Sequence, residues 1–124
     1  SYTGFVYRNA RLSANTLAED GEVKVCVTVK NSGAVRGAEV VQLYISDETG
    51  TPIAGGRVPQ VLRGFSKVWL DPGEERDVEF VLTARDLAHY DPTRRAWHTA
   101  PGRYLLRLGH TSRDIRASLG LNFG

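Results

Sequence analysis

Cysteine is all but missing from this sequence. Cys26 is the only one in 124 residues, so no intramolecular disulfide can staple the fold and stability must come from packing. Long apolar runs are missing as well. None approaches the ~18 residues that a membrane helix requires, and Ser1-Tyr2-Thr3 opens no charged-then-apolar leader, so no membrane is expected as a partner. A soluble bacterial protein, cytoplasmic or secreted, is expected, with any targeting signal upstream. Neither sign of charge dominates: 16 basic residues face 14 acidic ones, for a net charge of +2. Thirteen of the basic residues are arginine, yet Arg94-Arg95 is the only adjacent pair, and no basic run lies among stacking aromatics. Nucleic acid is therefore not an expected partner. No internal repeat or low-complexity tract occurs, and the length fits one domain over residues 1–124.

The motifs of chemistry are also lacking. There is no Gly-x-Ser-x-Gly elbow and no Cys-His pairing with a supporting motif. His89, His98 and His110 do not have metal-ligand spacing, and Gly55-Gly56 is not followed by the Gly-Lys-Ser/Thr of a phosphate loop. Asp47, Glu48 and Thr49 cluster in a loop without the pattern of a calcium-binding hand. The seven Asp and seven Glu lie mostly in turns, such as Asp20, Asp71 and Glu74, or on the polar side of strands, such as Glu79. A glycosidase pair needs two carboxylates across a cleft ~5–9.5 Å apart, and short loops offer little to build one. The expectation is no catalytic residue, no metal site and no cofactor.

Period-2 alternation is what the sequence does contain. Val23, Val25, Val27 and Val29 line one face of a strand, and Val41, Leu43 and Ile45 line another after the turn Asn31-Ser32-Gly33. Residues 47–59, rich in Thr, Gly and Pro, read as a long loop. From Gln60 to Leu70, Leu62, Val68 and Leu70 share one side while Phe65 and Trp69 share the other with Arg63 and Lys67; Gly64 marks a bulge. Asp71-Pro72-Gly73-Glu74 is a turn, after which Val78, Phe80 and Leu82 alternate. Thr83 caps a short helical turn that Asp91-Pro92 ends. Tyr104, Leu106 and Leu108 then share a face, Tyr104 stands in the tyrosine-corner position, and Ile115 to Phe123 forms the last strand. With Phe5 to Leu12 at the start, the fold class is an all-β sandwich of about seven to eight strands with one short helical turn.

Aromatic residues are the remaining candidates for contact, because their faces stack on sugars and anchor interfaces. Trp97 and Tyr90 are expected to pack around the turn Leu87 to Asp91. Trp69 shares its side with Arg63 and Lys67 just before a turn, which leaves exposure and burial against another domain both open.

Taken in order, several segments resemble the C-terminal fibronectin type III-like domain of glycoside hydrolase family 3, an immunoglobulin-like sandwich. They are Ser1-Tyr2-Thr3-Gly4-Phe5-Val6-Tyr7, Val27 to Gly33, Gly37 to Tyr44, Leu62-Arg63-Gly64-Phe65, Leu70 to Glu74, Asp86 to Asp91, and Pro101-Gly102-Arg103-Tyr104 with Asp114-Ile115-Arg116. The resemblance spans nearly the whole chain. It implies a β-glucosidase or β-xylosidase parent whose upstream barrel supplies the nucleophilic Asp and whose neighbouring α/β domain commonly supplies the acid/base. No catalytic position carries over, so an excised, non-catalytic accessory module is expected. It would pack on the parent's other domains, with Tyr2, Phe5 and Tyr7 as inter-domain contacts. The alternatives are a carbohydrate-binding module that meets oligosaccharide through Trp69, Trp97, Arg63 and Tyr90, and a generic immunoglobulin-like adhesion domain.

Overall fold

In the computed structural model of the chain, which describes residues 4–48 and 60–124, Val23, Val25, Val27 and Val29 all point inward with exposures of at most 1%. They belong to β3 (Val23–Asn31), the middle of an antiparallel sheet flanked by β1 (Phe5–Leu12) and β6 (Glu75–Leu82). β-branched residues suit this position because their stiff side chains pack well on a pleated surface. Opposite lies a sheet ordered β2 (Thr16–Leu17), β10 (Asp114–Phe123), β9 (Gly102–Thr111), β4 (Gly37–Asp47) and β5 (Val61–Leu70). Only β2 runs parallel to its neighbour in that sheet. The inner faces share one core, to which β4 gives Val41, Leu43 and Ile45 and β9 gives Tyr104, Leu106 and Leu108. Burial contributes ~1.5–3 kcal/mol for each such side chain, which is what replaces the missing disulfide.

Ten strands occur among the described residues, more than alternation alone predicts. The excess is β2, two residues long, and a separate ribbon of β7 (His89–Asp91) and β8 (Ala96–His98), three residues each. Segments so short carry no readable period. The expected helical turn is a 3-10 turn over Ala84–Leu87, where the Thr83 N–H donates to the Asp86 carboxylate at 2.8 Å.

The bulge near Gly64 corrects one expectation. Leu43 pairs with Gly64 and Tyr44 with Leu62, so Arg63 is the extra residue. That insertion flips the parity of β5, sending Leu62 outward at 46% exposure while Val68 and Leu70 stay in the core. A second bulge interrupts β1 between Arg8 and Arg11, where Asn9 adopts a φ of 55°.

Asn31 joins the turns at one end of the sandwich. Fully buried, it donates through Nδ2 to the carbonyls of Val35 and Leu70, both at 2.9 Å, and accepts from the Gly33 N–H at 2.9 Å. Its main chain bonds the next turn through Glu74 O and Gly73 N. In that turn Gly73 has a φ of 80°, which follows Pro72 as a type II turn requires. At the far end of β9, the Tyr104 hydroxyl donates to the Ala100 carbonyl at 2.6 Å, the expected corner.

Candidate functional site

Three groupings of side chains stand out beyond the core. The first bridges the sheets. Tyr7 donates its hydroxyl to Glu39 Oε2 at 2.8 Å, and His110 Nδ1 lies 2.9 Å from Oε1 of the same carboxylate, which is only 2% exposed. Arg116 lies over the Tyr7 ring at 5.6 Å, donates to the Phe5 carbonyl and holds Asp114 at 3.0 Å. Burial, and next the Glu39 hydrogen bond, push the Tyr7 phenol well above its ordinary range, while the bond from Arg116 pulls the Asp114 carboxyl down. Both oxygens of Glu39 are thus engaged, Oε2 across the sandwich to Tyr7 on β1 and Oε1 within its own sheet to His110 on β9.

Sequence reasoning passed over this grouping, although a signal was present. Glu39 has the same parity as Val41, Leu43 and Ile45, so a carboxylate stands in line with core positions and must find a donor. The expected inter-domain contacts look different in this light. Phe5 and Tyr7 meet the module's own sheets: Phe5 is in the core at 8% exposure and Tyr7 is tied to Glu39. Tyr2 lies outside the described residues.

The second grouping is on the outward side of β5. Phe65 is 71% exposed and Trp69 50%, with Lys67 between them on the same side. Lys67 Nζ lies 5.3 Å and the Arg36 guanidinium 5.8 Å from the centre of the Trp69 ring. These are cation–π distances, so Trp69 is dressed by two cations rather than left as a bare platform. Arg36 also pairs with Asp71 at 2.8 Å.

The third is the ribbon. Tyr90 and Trp97 are cross-strand partners whose rings meet edge to face, with centroids 5.9 Å apart and planes at 79°. Trp97 is 68% exposed and Tyr90 50%, which corrects the expectation that they pack around the preceding turn. They pack on each other because the three-residue strands β7 and β8 form a ribbon separate from both large sheets. On neighbouring positions His89 and His98 pair at 6.0 Å, and Arg94 Nη1 lies 3.2 Å from His98 Nδ1. Arg63 joins the second grouping to the third by donating from Nη2 to the Ala88 carbonyl at 2.8 Å.

The four residues expected to meet sugar or a partner thus divide between two places: Trp69 and Arg63 on β5, Tyr90 and Trp97 on the ribbon. Among the described residues no group of three or more His, Cys, Asp or Glu side chains is arranged to hold a metal ion. Cys26 is half-buried on the outer side of β3, where burial pushes its thiol up and so blunts its reactivity.

Comparison with known proteins places this arrangement. The profile of the fibronectin type III-like domain matches residues 39–112. The β-glucosidase BoGH3A of Bacteroides ovatus is 37% identical over 123 residues, which cover 99% of this chain and 16% of that protein. Thermostable β-glucosidase B of Acetivibrio thermocellus is 38% identical over 115 residues, or 93% of this chain and 15% of that protein. The crystal structure of a β-glucosidase from Listeria innocua in complex with glucose superposes with a TM-score of 0.85 at 29% identity, covering 99% of this chain and 16% of that one. The chain therefore spans about a sixth of the length of the relatives it matches.

Proposed function

Because the chain belongs to the fibronectin type III-like domain family and aligns almost end to end within β-glucosidases several times its length, we propose that it is a non-catalytic accessory module of such a glycosidase. Its role is to pack on the catalytic domains and stabilise them. The parent hydrolyses O-glycosyl bonds with groups outside this chain. The observation that carries the reading is the 99% coverage of this chain against 16% of its relative, combined with a sandwich whose inner faces bury each other. Such a unit brings its own core and adds surface to a larger enzyme.

Removal of the module from the full-length polypeptide tests this reading. The truncated enzyme is expected to melt at a lower temperature, or to lose solubility, while its catalytic residues remain in place. An unchanged melting temperature together with unchanged activity would overturn the proposal.

The exposure of Trp97 and Tyr90 favours one rival, a carbohydrate-binding module. Calorimetry of the chain with cello- and xylo-oligosaccharides separates the two. Millimolar or tighter binding that Trp97→Ala abolishes would establish the rival, whereas no heat over that range leaves the accessory role. Trp69 suits sugar less well, since Lys67 and Arg36 already lie over its ring.

A further inference from the structure

We infer that the outer face of the five-stranded sheet, centred on Phe65 and Trp69, is where this module docks on the rest of its polypeptide, and that the surface it meets is apolar with a rim of carboxylates. This inference rests on the accessory-module reading and names the face and the partner chemistry that reading leaves open.

The two outer faces of the sandwich differ in composition. The outward side of the three-stranded sheet carries paired charges around two exposed aliphatics, Val6 and Val81, and no exposed aromatic ring. Arg8 pairs with Glu75, Arg11 with Asp77 at 3.2 Å, and Thr28 donates to Asp77 at 2.7 Å. That is the composition of a face that meets water.

The outward side of the five-stranded sheet is built differently. Leu62, Phe65 and Trp69 project from β5 with exposures of 46%, 71% and 50%. The register places Lys67 beside Val40 and Trp69 beside Ala38, so the Trp69 end of the patch continues over apolar positions of β4, while Phe65 lies beside the polar Gln42. Contiguous exposed aromatic and aliphatic surface with cations at its margin is the composition of an interface centre rather than of a solvated sheet.

Charge then selects the partner. β5 and β9 contain no Asp or Glu, and the two acids of β4, Glu39 and Asp47, share the inward parity of Val41. The cations of this face have few anions within reach among the described residues. Lys67 lies over Trp69, Arg63 donates to a carbonyl, and Arg107 donates to the neutral amide of Gln60 at 2.9 Å. Among the described residues, two arginines of this face have a carboxylate: Arg103 pairs with Glu48 at 3.0 Å, and Arg36, over Trp69, with Asp71 at 2.8 Å. A docking surface that supplies carboxylates around an apolar centre complements this pattern, whereas a second cationic face is repelled. The relatives carry about five-sixths of their length outside the matching segment, so a tethered partner is at hand at high effective concentration.

The test is cysteine protection in two forms of the protein, the 124-residue chain and the full-length polypeptide. In a Cys26→Ser background, Phe65→Cys probes the proposed face and Lys24→Cys the opposite one. Both sites are exposed, so folding is expected to survive. Thiol labelling is read at each position by peptide mass. Phe65→Cys is expected to label at least about tenfold more slowly in the full-length polypeptide than in the chain alone, while Lys24→Cys labels equally in both. Protection of Lys24→Cys with Phe65→Cys unprotected would overturn the assigned face but keep the accessory role. Protection of neither would overturn both. Slow labelling of Phe65→Cys in the isolated chain that reverses on dilution would give the face to a second copy and overturn the inference. As a separate arm, Lys67→Glu should lower the melting temperature of the full-length polypeptide more than Lys24→Glu does, and equal effects would remove the carboxylate rim.

Discussion

The hydroxyl of Tyr7, on β1, donates across 2.8 Å to the buried carboxylate of Glu39, on β4, and so ties one sheet to the other. Tyr7→Phe removes this donor and leaves a carboxylate oxygen in a nearly dry site. A loss of about 1–3 kcal/mol is expected in urea denaturation. Adding Glu39→Gln to that variant should restore part of the loss, because a neutral amide costs less to bury than an unpaired charge. A Tyr7→Phe variant as stable as the parent chain would mean that water replaces the phenol.

Asn31 serves two turns and a strand end with one side chain. Asn31→Ala orphans the carbonyls of Val35 and Leu70 and the Gly33 N–H, and is expected to cost at least about 2 kcal/mol. Asn31→Asp, nearly isosteric, points an acceptor at two acceptors and should be no better. Thermal unfolding of both variants checks this, and an Asp variant matching the wild type would contradict the bonding scheme.

Alkaline pH is expected to loosen the sandwich. Burial, and then the charge of Asp47, push the Tyr104 phenol up to about 12. A phenol with a raised pKa in the folded state stabilises fully below its ordinary value, and that contribution disappears as pH climbs through the raised one. The melting temperature should therefore fall between about pH 10 and 12, and more gently in Tyr104→Phe, which has no proton to lose there. A slope unchanged by the substitution would place the alkaline transition elsewhere, with Tyr7 next in line.

Val27 lies fully buried in the middle strand of the smaller sheet. Val27→Asp is expected to unfold the chain, since an unpaired buried carboxylate costs several kcal/mol against a total of about 5–15 kcal/mol. Circular dichroism and proton NMR dispersion read the outcome directly. A folded spectrum would mean that the strand can slip and expose this position.

What the sequence discloses and what it hides follow from the same physics. The strands at Val23 to Val29, Val41 to Ile45 and Tyr104 to Leu108 are legible because a face buried on one side forces strict alternation. Leu62 is misread because one inserted residue, Arg63, reverses the parity, and nothing local states on which side of the glycine the insertion falls. Tyr90 and Trp97 look like core residues by composition, yet three-residue strands cannot lay them against the sandwich. Trp69 groups with Lys67 by parity alone, but Arg36 reaches its ring from 33 positions earlier, and such a contact is invisible without the fold. Glu39 is the plainest case of a readable signal left unread.

The two-residue β2 has a consequence for handling the chain. It covers only Asn122 and Phe123 of β10, and the rest of that border is interrupted by the irregular register between Asp114 and Ala117 and by the charges of Asp114 and Arg116. At the opposite margin the Arg63 bulge and Lys67 break up the straight row of amides that β5 would otherwise present. Cross-β growth needs a long, flat, uncharged border, and neither margin of the larger sheet provides one. The larger sheet of the isolated module should therefore not seed fibrils at high concentration.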